Sequence, residues 1–295
     1  MFDIESLYQA TGIQDAIRAL QADERAMIIS GGSDVLIQCR EGRLAGCSLV
    51  SIHGIPELMG IEQAADGTVT IRAATSFSHI ANHEIIRRTV PMLGDAVDQV
   101  GGPQIRNIGT IGGNVCNGVT SADSASSLWA LNATLELHSA SGVRQVPIRD
   151  FYTGAGKTVR RRDEVLVALH IQKKDYDGFG GCYLKYGKRN AMEIATLGCA
   201  AMVRLTEDRR HVADLRLAYG VAGPTPLRCV NTEDAARGMK TDEALLLHVA
   251  AGAVAEVNPR TSWRASKEFR LQLVSELAKR AVRQATLNAG GELDV

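Results

Sequence analysis

At 295 residues, with 45% apolar and 22% charged side chains, the chain has the composition of an ordinary globular protein and the length of two domains, or of one large domain with a smaller partner. Lys plus Arg and Asp plus Glu both number 33, so the formal net charge is zero, which excludes affinity for nucleic acid or a membrane surface resting on bulk charge. The opening MFDIESLYQATG has no basic-then-apolar signal pattern, and no apolar run approaches the roughly 20 residues that span a bilayer, so a soluble cytoplasmic protein is expected.

Taken in order, Ile13, Ala16, Ile17 and Leu20 fall on one face of a short helix. Ala26-Met27-Ile28-Ile29 reads as a buried strand that breaks at Ser30-Gly31-Gly32-Ser33-Asp34 and resumes as a helical run over 35–38. Strand, Gly-Gly turn and helix together can hold phosphate, because uncovered amides and a helix start point the same way. An ordinary turn capped by Ser33 or Asp34 is the competing reading. A strand follows at 48–52, and 58–61 pairs with 68–72 around Ala65-Asp66-Gly67. Helices are expected at 77–86 and 92–100.

Residues 101–117 hold five of the 29 glycines, three Asn and one Arg. Glycine leaves backbone N–H groups uncovered, and successive uncovered amides suit a pyrophosphate. Thr110, Asn114 and Asn117 can add side-chain hydrogen bonds. A glycine-rich connector between packed elements is an equal alternative. A helix is expected at 124–131, with Asp123 before it as a cap or as an acceptor for a ligand hydroxyl. A hairpin at 134–138 and 143–146 and a strand at 164–171 close this region. Gly154-Ala155-Gly156-Lys157-Thr158 imitates a nucleotide-binding P-loop. It has Phe151 where the first Gly belongs, and Arg160-Arg161-Arg162-Asp163 follows instead of an apolar helix, so a nucleotide triphosphate site is rejected.

Polar residues 173–178 mark the domain boundary. Strands at 182–186, 195–205 and 212–221 precede helices at 242–256 and 266–288, the order of a smaller α+β domain. The six cysteines form no CxxC pair, so neither a zinc ribbon nor an iron–sulfur cluster is suggested, and they are expected as reduced thiols, mostly in the core. No metal set is recognised among the seven histidines, and no side-chain nucleophile stands out. Any electron carrier is then a bound organic cofactor.

Several stretches resemble one family. Met27-Ile28-Ile29-Ser30-Gly31-Gly32-Ser33-Asp34-Val35-Leu36 is similar to the first flavin loop of the FAD-binding (medium) subunits of the molybdenum hydroxylases, in particular of bacterial xanthine dehydrogenases. Gln104-Ile105-Arg106-Asn107-Ile108-Gly109-Thr110-Ile111-Gly112-Gly113-Asn114 resembles the second. Tyr183 to Arg189, Leu217 to Arg228 and Ser262 to Arg270 resemble signatures of the C-terminal domain. The motifs run in register along essentially the whole chain.

The resemblance implies an α+β protein. It has a two-part PCMH-type FAD-binding domain over 1–176 (parts at about 1–55 and 56–176) and a smaller α+β domain over 180–291, of the carbon monoxide dehydrogenase flavoprotein C-terminal type. It implies FAD contacts from Met27, Ile28, Ile29, Ser30, Gly31, Gly32, Ser33, Asp34, Gly109, Thr110, Ile111, Gly112, Gly113 and Asn114. Asp123 would bond sugar hydroxyls, and Val165, Leu166, Leu184 and Lys185 would lie near the flavin. The implied partners are a molybdopterin-bearing (molybdenum-cofactor) subunit and a 2Fe-2S subunit in a heterotrimer, with NAD as electron acceptor and no acid–base residue on this chain. A flavin subunit for carbon monoxide, an aldehyde or an N-heterocycle, a free-standing FAD oxidoreductase and an FAD-less scaffold are the alternatives. Two departures stand out. Val119-Thr120-Ser121-Ala122-Asp123 keeps the acidic residue without the proline common before it, and Gly154-Ala155-Gly156-Lys157-Thr158 lacks the aromatic that animal xanthine dehydrogenases carry there.

Overall fold

A computed structural model describes residues 2–293. The chain begins with a three-stranded parallel sheet in the order β1–β3–β2, from β1 (Ile4–Gln9), β2 (Ala26–Ile29) and β3 (Cys47–Ser51). α1 (Ile13–Ala22) buries the expected Ala16, Ile17 and Leu20, and α2 (Val35–Arg40) starts directly after the Ser30–Asp34 turn.

A five-stranded antiparallel sheet follows in the order β4–β5–β10–β6–β7. Its strands are β4 (Ile61–Gln63), β5 (Val69–Arg72), β6 (Thr134–Ser139), β7 (Gly142–Pro147) and β10 (Val165–Ile171), with β8 (Tyr152–Gly154) and β9 (Lys157–Thr158) as a separate small hairpin. Six short helices lie between β5 and β6: α3 (Phe77–Asn82), α4 (Glu84–Thr89), α5 (Pro91–Asp98), α6 (Pro103–Ile108), α7 (Ile111–Cys116) and α8 (Asp123–Ala130). One side of β10 packs Leu169 and Ile171 with the cores of α5 and α8. The other packs Val165, Val167 and Ala168 with Ala16, Ile17 and Leu20 of α1. A strand covered on both faces reads as an unbroken apolar run, as β10 does.

The last sheet is β11 (Phe179–Tyr186), β12 (Leu197–Leu205), β13 (Val212–Gly220) and β14 (Leu227–Arg228), antiparallel in that order. Ala200, Met202 and Ala218 join the core around Met92 and Leu93. Cys199, Ala201, Val203 and Leu217 face the apolar sides of α10 (Glu243–Glu256) and α11 (Lys267–Asn288), which follow α9 (Val230–Ala236).

Several expectations need correction. Residues 58–60 are not strand; Leu58 ends a short turn of helix at Pro56–Leu58 and only 61–63 pairs. The helix expected at 77–86 breaks at His83, whose backbone is extended and whose ring nitrogen accepts from the Ile85 N–H. His79 and His83 also stand four apart, a spacing the sequence reading passed over; their rings stack at 5.3 Å. The glycine-rich stretch is no loop but α6 and α7. The polar boundary at 173–178 is not among these, and it carries a tight tie. Asp175 is buried and its carboxylate accepts from Arg216 at 3.1 Å and from Asn132 at 2.8 Å, while Arg216 also donates to the carbonyls of Ala130 and Asp175. Among the described residues no helix is long and apolar enough to cross a membrane.

Candidate functional site

A cleft of about 360 Å³ lies where the end of β2, the α6–α7 segment and the start of β10 meet. That volume falls within the range of small-molecule and cofactor pockets. Two segments about 80 residues apart in sequence form its sides, and they touch. A Cβ on Gly31 would overlap the carbonyl oxygen of Ile108, so only glycine lets the backbones approach this closely. Thr110 joins them a second time by donating from its hydroxyl to Ser30 Oγ at 3.3 Å.

The two sides offer different chemistry. In the Ser30–Asp34 turn, the N–H groups of Gly31, Gly32 and Ser33 have no acceptor among the described residues, and Gly32 sits at φ +73°. This is the uncovered amide cradle the sequence suggests. The capping alternative fails: neither Ser33 nor Asp34 caps α2, and Asp34 instead accepts from the Gln38 amide at 2.5 Å.

On the second side the expectation of uncovered amides is wrong. The N–H groups of Ile111, Gly112, Gly113 and Asn114 are all engaged, by Thr75 O at 3.1 Å, Ala73 O at 2.8 Å, Thr110 Oγ1 at 3.2 Å and Thr110 O at 3.0 Å. The Thr110 cap of α7 consumes two of them and packing against the Ala73–Thr75 backbone the other two. Gly112 has a packing role, since a Cβ there would lie 2.7 Å from both the Cβ and the carbonyl oxygen of Ala73. What this side presents to the cleft is a smooth surface at Gly113, the Thr110 hydroxyl and the Asn114 and Asn117 side chains.

Of the residues implied to touch the cofactor, Met27, Ile28, Ser30, Gly31, Gly32, Ser33, Asp34, Gly109, Thr110, Gly112, Gly113, Asn114 and Leu166 line the cleft together. Ile29 and Ile111 turn into the core behind it, as does Val165. Leu184 packs against the C-terminal core. Asp123 and Lys185 form a buried pair at 2.8 Å, behind the lining. Asp123 is not a cap of α8, whose first residue it is. Its other oxygen accepts from the Tyr183 hydroxyl at 2.9 Å, and Lys185 also donates to Gln99 O at 2.9 Å. Burial pushes the Asp123 carboxyl up, against the pull of Lys185 and Tyr183. The pair is coupled to the cleft because the adjacent Ser124 donates to Asn114 Oδ1 at 2.7 Å.

Sequence reading missed Val35, Gln38, Ile52, Ala73, Phe77, Val100, Ile105, Cys116, Asn117 (named only as a hydrogen-bonding side chain), Gly156 and Arg160 on the lining. Most are apolar residues with no signal separating them from core. The rejected P-loop imitation is the β8–β9 hairpin, and its Gly156 sits on the cleft rim with its N–H donated to Gly118 O at 2.9 Å.

A family model described as the FAD binding domain in molybdopterin dehydrogenase matches residues 2–173, and one described as the CO dehydrogenase flavoprotein C-terminal domain matches 182–285. The chain is 43% identical to a xanthine dehydrogenase FAD-binding subunit of Escherichia coli O157:H7, over 99% of this chain and all of that one. It is 28% identical to the glyceraldehyde dehydrogenase medium chain of Sulfolobus acidocaldarius, over 95% of this chain and 97% of that one. A solved carbon monoxide dehydrogenase from Hydrogenophaga pseudoflava superposes with a TM-score of 0.92 at 26% identity, covering 98% of this chain and 99% of the other.

Proposed function

We propose that this chain, which belongs to the family of FAD-binding subunits of the molybdopterin dehydrogenases, is the electron-transfer subunit of a xanthine dehydrogenase that uses NAD. The observation that carries the cofactor reading is the meeting of the two segments at Gly31 and Ile108, which puts three free amides opposite a hydroxyl- and amide-bearing face in one cleft. The residues present fit FAD. The N–H groups of Gly31, Gly32 and Ser33 bind its diphosphate, and Thr110 and Asn114 bond its sugar and ribityl hydroxyls. Met27, Ile28, Gly109 and Leu166 cover its apolar faces and exclude water. Asp123 and Lys185, with Ile29, Ile111, Val165 and Leu184, hold that surface from behind.

Held by these residues, FAD would supply the redox chemistry between an iron–sulfur subunit and NAD⁺. The protein's part is position and electrostatics, and no side chain of this subunit is assigned acid–base work. The purine is hydroxylated on the molybdenum-cofactor subunit. Identity of 43% to a xanthine dehydrogenase subunit, against 28% to a glyceraldehyde dehydrogenase subunit, favours the purine. This reading places the complex in the cytoplasm.

The test is an absorption spectrum of the purified chain before and after FAD, then with NADH. Flavin bands that bleach with NADH support the whole reading. Bands that resist NADH, in the chain and in the assembled complex, remove NAD as acceptor. A folded chain and complex that both stay colourless in excess FAD sink the cofactor assignment.

A further inference from the structure

Asp34 and Arg160 are the charged residues on the lining of the cleft. Asp34 is engaged by Gln38, and the rest of the lining offers neutral amides, hydroxyls and apolar surface. Arg160 stands between β9 and β10, in the run of three arginines that the sequence reading treated only as the absence of a helix. Its Nη1 donates to the carbonyls of Glu164 at 2.8 Å and Arg161 at 3.1 Å, which fixes one edge of the guanidinium. Nε and Nη2 have no acceptor among the described residues, and no carboxylate pairs with the group there.

The nearby Glu164 explains this. It is buried, and its carboxylate is committed elsewhere: to Arg144 Nε at 2.6 Å, to Arg144 Nη2 at 2.8 Å and to the Arg161 N–H at 2.6 Å. Glu164 therefore braces the backbone of the loop and leaves the Arg160 charge uncompensated. The charge does reach the lining. Burial pushes the thiol of Cys116, a lining residue, up; Arg160 pulls it partly back and the Glu164 charge adds a smaller upward push. An arginine held along one edge, with its remaining donors unclaimed beside a cleft, is prepared for an anion.

We infer that Arg160 is the cleft's cation for the phosphoryl charge of the bound dinucleotide, and so the residue that makes it prefer FAD over a neutral flavin. This rests on the cofactor reading above. Arg160 does not touch the redox chemistry; it sets affinity for the charged half of the ligand.

The test uses the purified chain, with any subunits that copurify, and measures affinity for FAD, ADP and uncharged riboflavin at low and high salt. Arg160→Gln is expected to weaken FAD and ADP by about tenfold to a hundredfold, the loss of one or two charge-assisted bonds. Riboflavin should be unchanged, and the salt dependence of FAD binding should flatten. Arg160→Lys should recover part of the loss. Arg161→Gln removes an exposed side chain from a residue that contributes only backbone atoms here, its N–H to Glu164 and its carbonyl to Arg160, and should leave FAD affinity unchanged. Unaltered FAD affinity in Arg160→Gln would overturn the assignment, as would an equal loss for FAD and riboflavin, which is the mark of a displaced loop. Failure of the unsubstituted chain to bind any FAD would instead overturn the cofactor reading, and the assignment with it.

Discussion

The two sides of the cleft are both glycine-rich, and they use glycine for different ends. At Ser30–Asp34 the turn is thin, Gly32 takes a left-handed conformation, and three amides are left open to a ligand. At Gly109–Asn114 the glycines are helical or extended, their amides are engaged, and their missing side chains let the segment press against Ala73 and Phe77. The first side is a thin turn with open amides. The second is a braced surface, backed through Ser124 by the Asp123–Lys185 pair. Similar composition therefore conceals a division between leaving amides open and bracing the surface that faces them.

The largest effect should come from removing the brace. Lys185→Met leaves Asp123 buried without its cation, and breaking a buried pair from one side costs about 4 kcal/mol near neutral pH. The sign of the pH dependence follows from burial. Burial already raises the folded carboxyl above its ordinary value, and without the pull of Lys185 it is raised further. The variant's deficit should thus be small near the ordinary carboxylate value of about 4 and grow as pH rises toward 7. Urea unfolding midpoints of variant and parent across that range test this; a deficit independent of pH would show that Lys185 acts by packing alone. Next comes the junction. Gly31→Ala drives a Cβ into the Ile108 carbonyl, where backbone meets backbone, and should cost about 3 kcal/mol, the upper end of overpacking. It should also abolish flavin uptake. Parent-like stability would mean that the two segments part easily.

Much of this was legible in the sequence where burial dictates pattern. The faces of α1, α10 and α11 and the alternation in β6 follow the core they pack on. β1 escaped notice because five of its six residues are exposed, including Leu7 and Tyr8, and backbone pairing to β3 holds it. α7 escaped because its two glycines argue against helix locally, and α6 because glycines flank it on both sides. Bonds from Ile111 and Gly112 to Thr75 and Ala73 anchor the start of α7, and those partners lie some 40 residues earlier. Residues 173–178 read as a domain boundary from their polarity, but the tie within them was not legible, because Arg216, the partner of Asp175, is 41 residues away. At the site, motif resemblance found the glycines and Asp123. It missed Arg160, since a run of arginines ordinarily signals a solvated surface, and only the commitment of Glu164 to Arg144 shows the guanidinium unpaired.

Two smaller substitutions sharpen the contrast between the sides. Gly32→Ala forces a side chain into φ +73° and should cost about 1 kcal/mol in stability while weakening FAD binding, because the turn carrying the open amides must adjust. Thermal unfolding and flavin titration read the two effects separately. Gly113→Ala should do the reverse. Its added Cβ meets only the Thr110 hydroxyl at 3.0 Å and otherwise points into open cleft, and alanine is the better helix former, so stability should change by less than about 0.5 kcal/mol. FAD affinity should nevertheless fall, since the methyl group occupies the smooth surface against which the cofactor lies. A variant that unfolds like its parent and binds FAD as well as its parent would place the ligand away from this side. The cleft would then depend on the Ser30–Asp34 turn alone, with the braced segment serving only as a support for its neighbours.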